Sequence, residues 1–312
     1  MRSRTEKTVL AGDGTRLYAR ETRGPNAAGT PIICANGIGV STFFWRYLEE
    51  HFSATRPVIV WDYRGHGRSE FPRDLDALTI EENAADLIRV LDAFGHRRAI
   101  AAGHSMGCQV VYAFGHRYPE RAAMLVPMLG AVGRPVHTFM DRERSSLVAF
   151  ALGHAVATRV PGSIGRSQQR LLSHPVGRRV VSVIARQSGL VHPVHMRQED
   201  LDNYLDHFGA FSPLVFFRMA EHMATHSAEH YLERLAAPTL VVAGTRDLFT
   251  PLHQSERAAA RIPTSRLLVL DEGSHAALVE QPDAIHAAME DCLARWEVDG
   301  EGAAAEQEAS AA

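Results

Sequence analysis

AAGHSMGCQVVYAFGHR occupies residues 101–117, and its reading decides the fold. A short apolar run ends at Gly103-His104-Ser105-Met106-Gly107, and a helical pattern starts directly behind it. Two glycines around one serine suit a sharp strand-to-helix turn, where the backbone approaches its neighbours closely and adopts unusual torsions. A serine at the apex of such a turn is lifted off the sheet, as a nucleophile needs to be. The pattern Gly-x-Ser-x-Gly in that setting reads as a nucleophile elbow. The helix start behind Ser105 also favours negative charge beside the hydroxyl.

Outward from this turn, apolar runs alternate with helical patterns. Residues 8–22 read as two strands around Gly12-Asp13-Gly14. PIICA (31–35), PVIVWD (57–62), RAIAAGH (98–104) and AAMLVPML (122–129) read as strands. FFWRYLEEHF (43–52) and IEENAADLIRVLDAF (80–94) read as helices, the second with Thr79 as N-cap and Glu82 at the capping-box spacing. The alternation resumes with the strand TLVVAG (239–244), the helix PLHQSERAAARI (251–262), the strand SRLLVL (265–270) and a last helix over 281–297. Fully apolar strands alternating with helices predict an α/β fold, with a mostly parallel sheet of about eight strands covered on both faces. Between residues 131 and 235 the strand signal vanishes, and the stretch is too long for a loop. The expected organisation is therefore a core over 1–130 and 236–298, a helical cap over 131–235, and a disordered tail over 299–312.

The composition narrows the partners. The chain has 312 residues, 46% hydrophobic and 22% charged, with a net charge of -3, ordinary values for a globular protein. No basic stripe suggests nucleic acid. The three cysteines Cys34, Cys108 and Cys292 form no CxxC pattern and read as reduced, buried thiols. The opening MRSRTEKTVLAGDG lacks the apolar stretch of a secretory signal, and no run has the length of a membrane span. A cytoplasmic enzyme acting on a small molecule is the expectation, with homo-oligomer formation left open.

A serine hydroxyl is a weak nucleophile until a base takes its proton. Downstream, Gly244-Thr245-Arg246-Asp247 follows one strand and Asp271-Glu272-Gly273-Ser274-His275 follows another. Ser105, Asp247 and His275 thus each stand just past the C-terminal end of a strand, where an open α/β sheet gathers its ligand crevice. The order Ser, Asp, His is the one expected for an elbow of this kind.

With GHSMG around Ser105, DYRGHGRS (62–69), GTRDLFTP around Asp247 and GSHAALVEQPD around His275, the chain resembles the α/β-hydrolases that carry a cap. The resemblance spans most of residues 8–297 and says little about the substrate. It implies a Ser105–His275–Asp247 triad and an oxyanion hole from the backbone N–H groups of Met106 and Ile38. Many relatives have His-Gly where this chain has Asn36-Gly37, and glycine where it has Cys108. The expected chemistry is hydrolysis of a small to medium, largely apolar carboxylic ester through an acyl-enzyme, without metal or organic cofactor. Carbon–carbon bond hydrolysis, thioester cleavage, cofactor-free perhydrolysis and a non-catalytic ligand-binding role are the alternatives. Epoxide hydrolases and haloalkane dehalogenases of this fold use aspartate as nucleophile, so Ser105 argues against both.

The remaining polar motifs read as structural. Asp62, Arg64 and His66 form a turn network. His222, His226 and His230 include a formal HxxEH pattern, read as a helix face rather than a metal site. Phe216 and Phe217 are the candidate substrate-binding residues, with Phe211 and Met219 as further apolar pocket candidates in the stretch 210–223. Arg218 lies beside them, and an Arg218 pointing into the pocket would favour an acidic substrate.

Overall fold

The computed structural model describes residues 2–133 and 159–299. Its centre is an eight-stranded sheet of order β1-β2-β4-β3-β5-β6-β7-β8. The strands are β1 (Ser3–Leu10), β2 (Arg16–Arg23), β3 (Ile32–Ala35), β4 (Val58–Trp61), β5 (Ala99–His104), β6 (Ala122–Met128), β7 (Thr239–Gly244) and β8 (Ser265–Leu270). The first hairpin is antiparallel and β2 joins β4 antiparallel, while every later pairing is parallel. The mostly parallel α/β sheet read from the sequence is therefore present.

Its construction follows from the residue types. β3 (IICA) and β4 (VIVW) are buried along their whole length, as strands covered on both faces must be. On one face α2 (Ile80–Ala93) and α3 (Met106–Arg117) pack through Leu87, Leu91, Val110 and Phe114. On the other, α1 (Arg46–Phe52) and the late helix Pro282–Arg295 pack through Leu48, Phe52, Ile285 and Met289. Thr79 caps α2 as expected, its hydroxyl accepting from the Glu82 N–H at 3.1 Å. β1 begins at Ser3, earlier than the hydrophobic pattern suggested. Its residues 3–8 are exposed and include Arg4, Glu6 and Lys7, which blunts the sheet edge but removes the apolar signal.

The segment between β6 and β7 is mostly helical in its described part. It contains α4 (Pro161–Ser173), α5 (Pro175–Gln187), α6 (Gln198–Ala210) and α7 (Pro213–Thr225), with no strand among the described residues. Residues 134–158 of the expected cap lie outside the described residues. The insert rests on loops at the C-terminal strand ends. Val215 of α7 packs on Gly65, Phe208 of α6 faces Gly39, and His207 stacks on His66.

Behind β7 follow α8 (Leu252–Arg261), the short α9 (Ala277–Glu280) and α10 (Pro282–Arg295), so the expected helix over 281–297 ends slightly earlier. Asp299, the first residue of the expected tail, is bonded to the core. Its carboxylate accepts from Arg56 at 3.0 Å and from the Thr30 N–H at 2.8 Å, a polar clasp that a low-complexity reading of 299–312 overlooks. Residues 300–312 of that expected tail lie outside the described residues. No helix among the described residues is long and apolar enough to cross a membrane.

Candidate active site

The turn around Ser105 is strained in the way its glycines announce. Ser105 has φ 56° and ψ -118°, a conformation that ordinary residues rarely adopt. A Cβ on Gly103 would lie 2.3 Å from the Gly107 carbonyl oxygen, and one on Gly107 would lie 2.1 Å from the Ala35 carbonyl oxygen. Only glycine fits at either place, and the close approach lifts Ser105 over the ends of β3 and β5.

The strand ends then deliver the partners. The Ser105 Oγ stands 2.9 Å from His275 Nε2, and His275 Nδ1 stands 2.8 Å from Asp247 Oδ2. β7 and β8 are neighbours, with Gly244 opposite Leu270. A Cβ on Gly244 would meet the Gly273 carbonyl oxygen at 2.2 Å, so the loops carrying Asp247 and His275 can touch only because Gly244 has none. The structure therefore brings together the three side chains that the sequence placed on separate loops.

Asp247 is fixed on both oxygens. Oδ1 accepts from the N–H groups of Phe249 and Thr250 at 2.8 and 2.9 Å, while Oδ2 accepts from the Thr250 hydroxyl at 2.6 Å as well as from His275. Burial pushes its pKa up, but His275 and the Thr250 bonds outweigh that and hold it below the ordinary value. Its side chain is fully buried and the His275 ring is 16% exposed, so the acid is sealed while the base reaches the crevice.

Met106 follows Ser105 directly in the chain, and Ile38 is one residue from Gly37. Met106 opens α3, where a first-turn N–H has no intrahelical partner. Ile38 lies on the loop after β3, next to Gly37, whose Cβ position is 3.0 Å from the Ser105 Cβ. Asn36 braces this loop. Its amide nitrogen donates to the Trp61 carbonyl at 2.7 Å, and its oxygen accepts from the Trp45 indole at 2.7 Å. The departure at residue 36 thus holds the loop from below. Cys108 lies behind the elbow, its thiol donating to the carbonyls of Gly103 and Met128.

His66 braces the same loop from the other side. Its Nδ1–H donates to the Arg64 carbonyl at 3.1 Å, which leaves Nε2 to accept from the Gly39 N–H at 3.1 Å. Burial pushes its pKa down to about 3, so the ring is neutral. Asp62 accepts from the N–H groups of Thr42 and Arg68, and buried Arg64 donates to Asp13 and Asp86. These bonds are the turn network read from Asp62, Arg64 and His66. Unfolding lets His66 take a proton at its ordinary pKa near 6.5, so its contribution to stability is present at pH 7 and lost as pH falls toward 3. At pH 5 that loss amounts to about 2 kcal/mol. His66→Phe should therefore lower the urea midpoint at pH 7 and make its decline between pH 7 and pH 4 shallower by one proton. An unchanged slope in urea titrations across that range would contradict the assignment.

Several site neighbours carried no signal in the sequence. His104, the variable position of the motif, donates from Nε2 to the His275 carbonyl at 2.8 Å. Burial pushes its pKa down to about 3. Phe249 lies against the His275 ring at 4.7 Å between centroids. Phe208 of the insert faces Gly39, on the loop that carries Ile38, and so does Phe211, which the apolar run 210–223 had singled out. Phe216 meets both edge-on, and Phe217 meets Phe216, so the two predicted aromatics form the outer part of this cluster. Arg218 donates to Glu221 on its own helix at 3.2 Å. His226 lies 3.8 Å from Glu81 and 3.3 Å from the Tyr231 hydroxyl, and His230 packs on Tyr231. Among the described residues no three His, Cys, Asp or Glu side chains are grouped to hold a metal ion.

Comparison with known proteins gives the same architecture. A family model described as "alpha/beta hydrolase fold" matches residues 30–282. The chain is 31% identical over 264 residues to "Putative carbamate hydrolase RutD" of Azorhizobium caulinodans, covering 84% of this chain and 90% of that protein. It is 27% identical over 324 residues to "Epoxide hydrolase A" of Mycobacterium tuberculosis, covering 94% and 98%. Among solved structures, a thermophilic esterase from Thermogutta terrifontis superposes with a TM-score of 0.70 at 24% identity, covering 94% of this chain and 99% of that one. At that identity the likeness concerns the fold alone.

Proposed function

The chain belongs to the alpha/beta hydrolase fold family, and from that premise we propose that it is a serine hydrolase of small to medium, largely apolar carboxylic esters. The observation that carries this reading is the continuous hydrogen-bonded line Ser105–His275–Asp247. Geometry of this kind marks a nucleophile, its base and the group that orients the base.

In this reading His275 Nε2 takes the Ser105 proton while Oγ attacks the ester carbonyl. The N–H groups of Met106 and Ile38 hold the oxyanion. The carbon–oxygen bond to the alcohol breaks as His275 returns the proton to the leaving oxygen. Water then enters, gives a proton to His275 and attacks the acyl-serine, releasing the acid and restoring Oγ–H. Asp247 keeps the His275 proton on Nδ1 and stabilises the imidazolium. The helical insert acts as a cap, and the rings of Phe208, Phe211 and Phe216 give it an apolar lining. An unpaired charged acyl group among these rings would cost several kcal/mol, and Arg218, the cation nearest them in sequence, is engaged by Glu221. A carbamate is a second reading, favoured by the 31% identical relative and open to the same acyl chemistry.

The test is a panel of p-nitrophenyl esters of graded acyl length, with one aryl carbamate, run beside fluorophosphonate labelling. Labelling at Ser105 and turnover of short to medium esters, undiminished by a chelator, is the expected result. Labelling with no ester turnover but cleavage of a thioester or carbon–carbon substrate would replace the substrate class. Loss with chelator and rescue by zinc would move the chemistry to His222, His226 and His230.

A further inference from the structure

We infer that the outer face of the insert, formed by α4 and α5, is a docking surface for anionic lipid bilayers. The inference rests on how α5 is turned. Val176, Val180, Val183 and Ile184 recur at helical spacing on one side of the helix, and they are 43–64% exposed. The side facing inward carries Arg178, Val181 and buried Ser182. An ordinary surface helix points its apolar stripe into the protein, and α5 does the opposite. Val181 alone packs on the core from this helix, and polar bonds add to its hold: Arg178 donates to Asp202 at 2.8 Å and also pairs with Asp206, both on α6. Leu171, on the neighbouring α4, adds to the exposed apolar face.

Charge selects the occupant. From Arg159 to Arg197 the chain has seven arginines and no lysine, aspartate or glutamate, in a protein whose net charge is -3. Exposed Arg166 and Arg170 on α4 and Arg179 on α5 have no carboxylate within ion-pair distance among the described residues. A β-branched apolar row bordered by arginines is the pattern of a helix that lies in a membrane interface and meets anionic headgroups. A second copy of this face suits it poorly, because a two-fold contact would set Arg170 and Arg179 near their own copies.

The experiment is co-sedimentation of the full chain with vesicles of phosphatidylcholine and phosphatidylglycerol in equal parts, against pure phosphatidylcholine. Binding to the mixed vesicles, weak binding to the neutral ones, and release at 0.5 M NaCl are expected. Arg170→Gln with Arg179→Gln should weaken binding about thirtyfold, and Val180→Ser with Ile184→Ser about tenfold or more. Circular dichroism and the rate of fluorophosphonate labelling should stay unchanged in both variants, which separates a docking defect from a folding defect. Absence of binding to the mixed vesicles overturns the inference. So does a dimer of the unmodified chain that the Val180→Ser, Ile184→Ser variant turns into a monomer.

Discussion

Ser105→Ala should lower kcat for the best ester by about a millionfold, with KM little changed. The substitution removes one oxygen and nothing else. The elbow torsions belong to the backbone, Gly103 and Gly107 keep their close approaches, and His275 keeps its bond to Asp247 at 2.8 Å. What disappears is the only atom that can form the acyl-enzyme, so the remaining activity reflects binding and the oxyanion donors alone. Stopped-flow turnover and intact-mass labelling with a fluorophosphonate check this together. Labelling should be abolished, and residual turnover within a hundredfold of the unmodified enzyme would refute Ser105 as nucleophile.

Asp247→Asn should lower kcat by about 10⁴-fold, and the hydrogen bonds around the carboxylate say why. Oδ1 accepts two backbone N–H groups, from Phe249 and Thr250, and these cannot become acceptors. An asparagine must therefore place its oxygen there and its NH2 where Oδ2 was. That NH2 points at His275 Nδ1, so Nδ1 becomes the acceptor and the ring proton moves to Nε2, facing Ser105. The base is then presented in the tautomer that cannot take the Ser105 proton. Stability should change little, because the Thr250 hydroxyl can reverse and accept from the new amide. The discriminating measurement is a pH–rate profile with a urea titration. A rate loss near 10⁴ with an unchanged midpoint is expected, whereas a loss below tenfold would remove Asp247 from the triad.

How much of this was legible depended on what each residue needed from its neighbours. The triad was readable because each member follows a strand that signals itself by local composition, and parallel strands bring their C-terminal ends together whatever the loops contain. β1 leaves little trace in the sequence because an exposed, charge-rich edge strand has no hydrophobic period to find. The apolar run 210–223 singles out Phe211, Phe216 and Phe217 but not Phe208 on the preceding helix, because a helix pattern gives faces but not the tilt of an insert over a sheet. Asn36 stood out only as a departure from relatives. Its use, a bracket between Trp45 and Trp61, depends on long-range packing that no window of sequence contains.

The insert also divides the site in time. Ser105 and His275 are separated by 170 residues, which a ribosome adds in roughly 10–30 s. During that interval β6 has β5 on one side and an open edge on the other, because its second neighbour β7 starts only at Thr239. The emerging chain thus carries its nucleophile unarmed, and its most apolar open edge is temporarily an adhesive strip. Catalytic competence arrives in a single event, when β7 and β8 zip onto that edge and bring acid and base with them. A chain stalled or cleaved within the insert would be an inert, aggregation-prone sheet of six strands with β6 as its open edge, so synthesis of residues 239–275 both closes the sheet and brings the acid and base to Ser105.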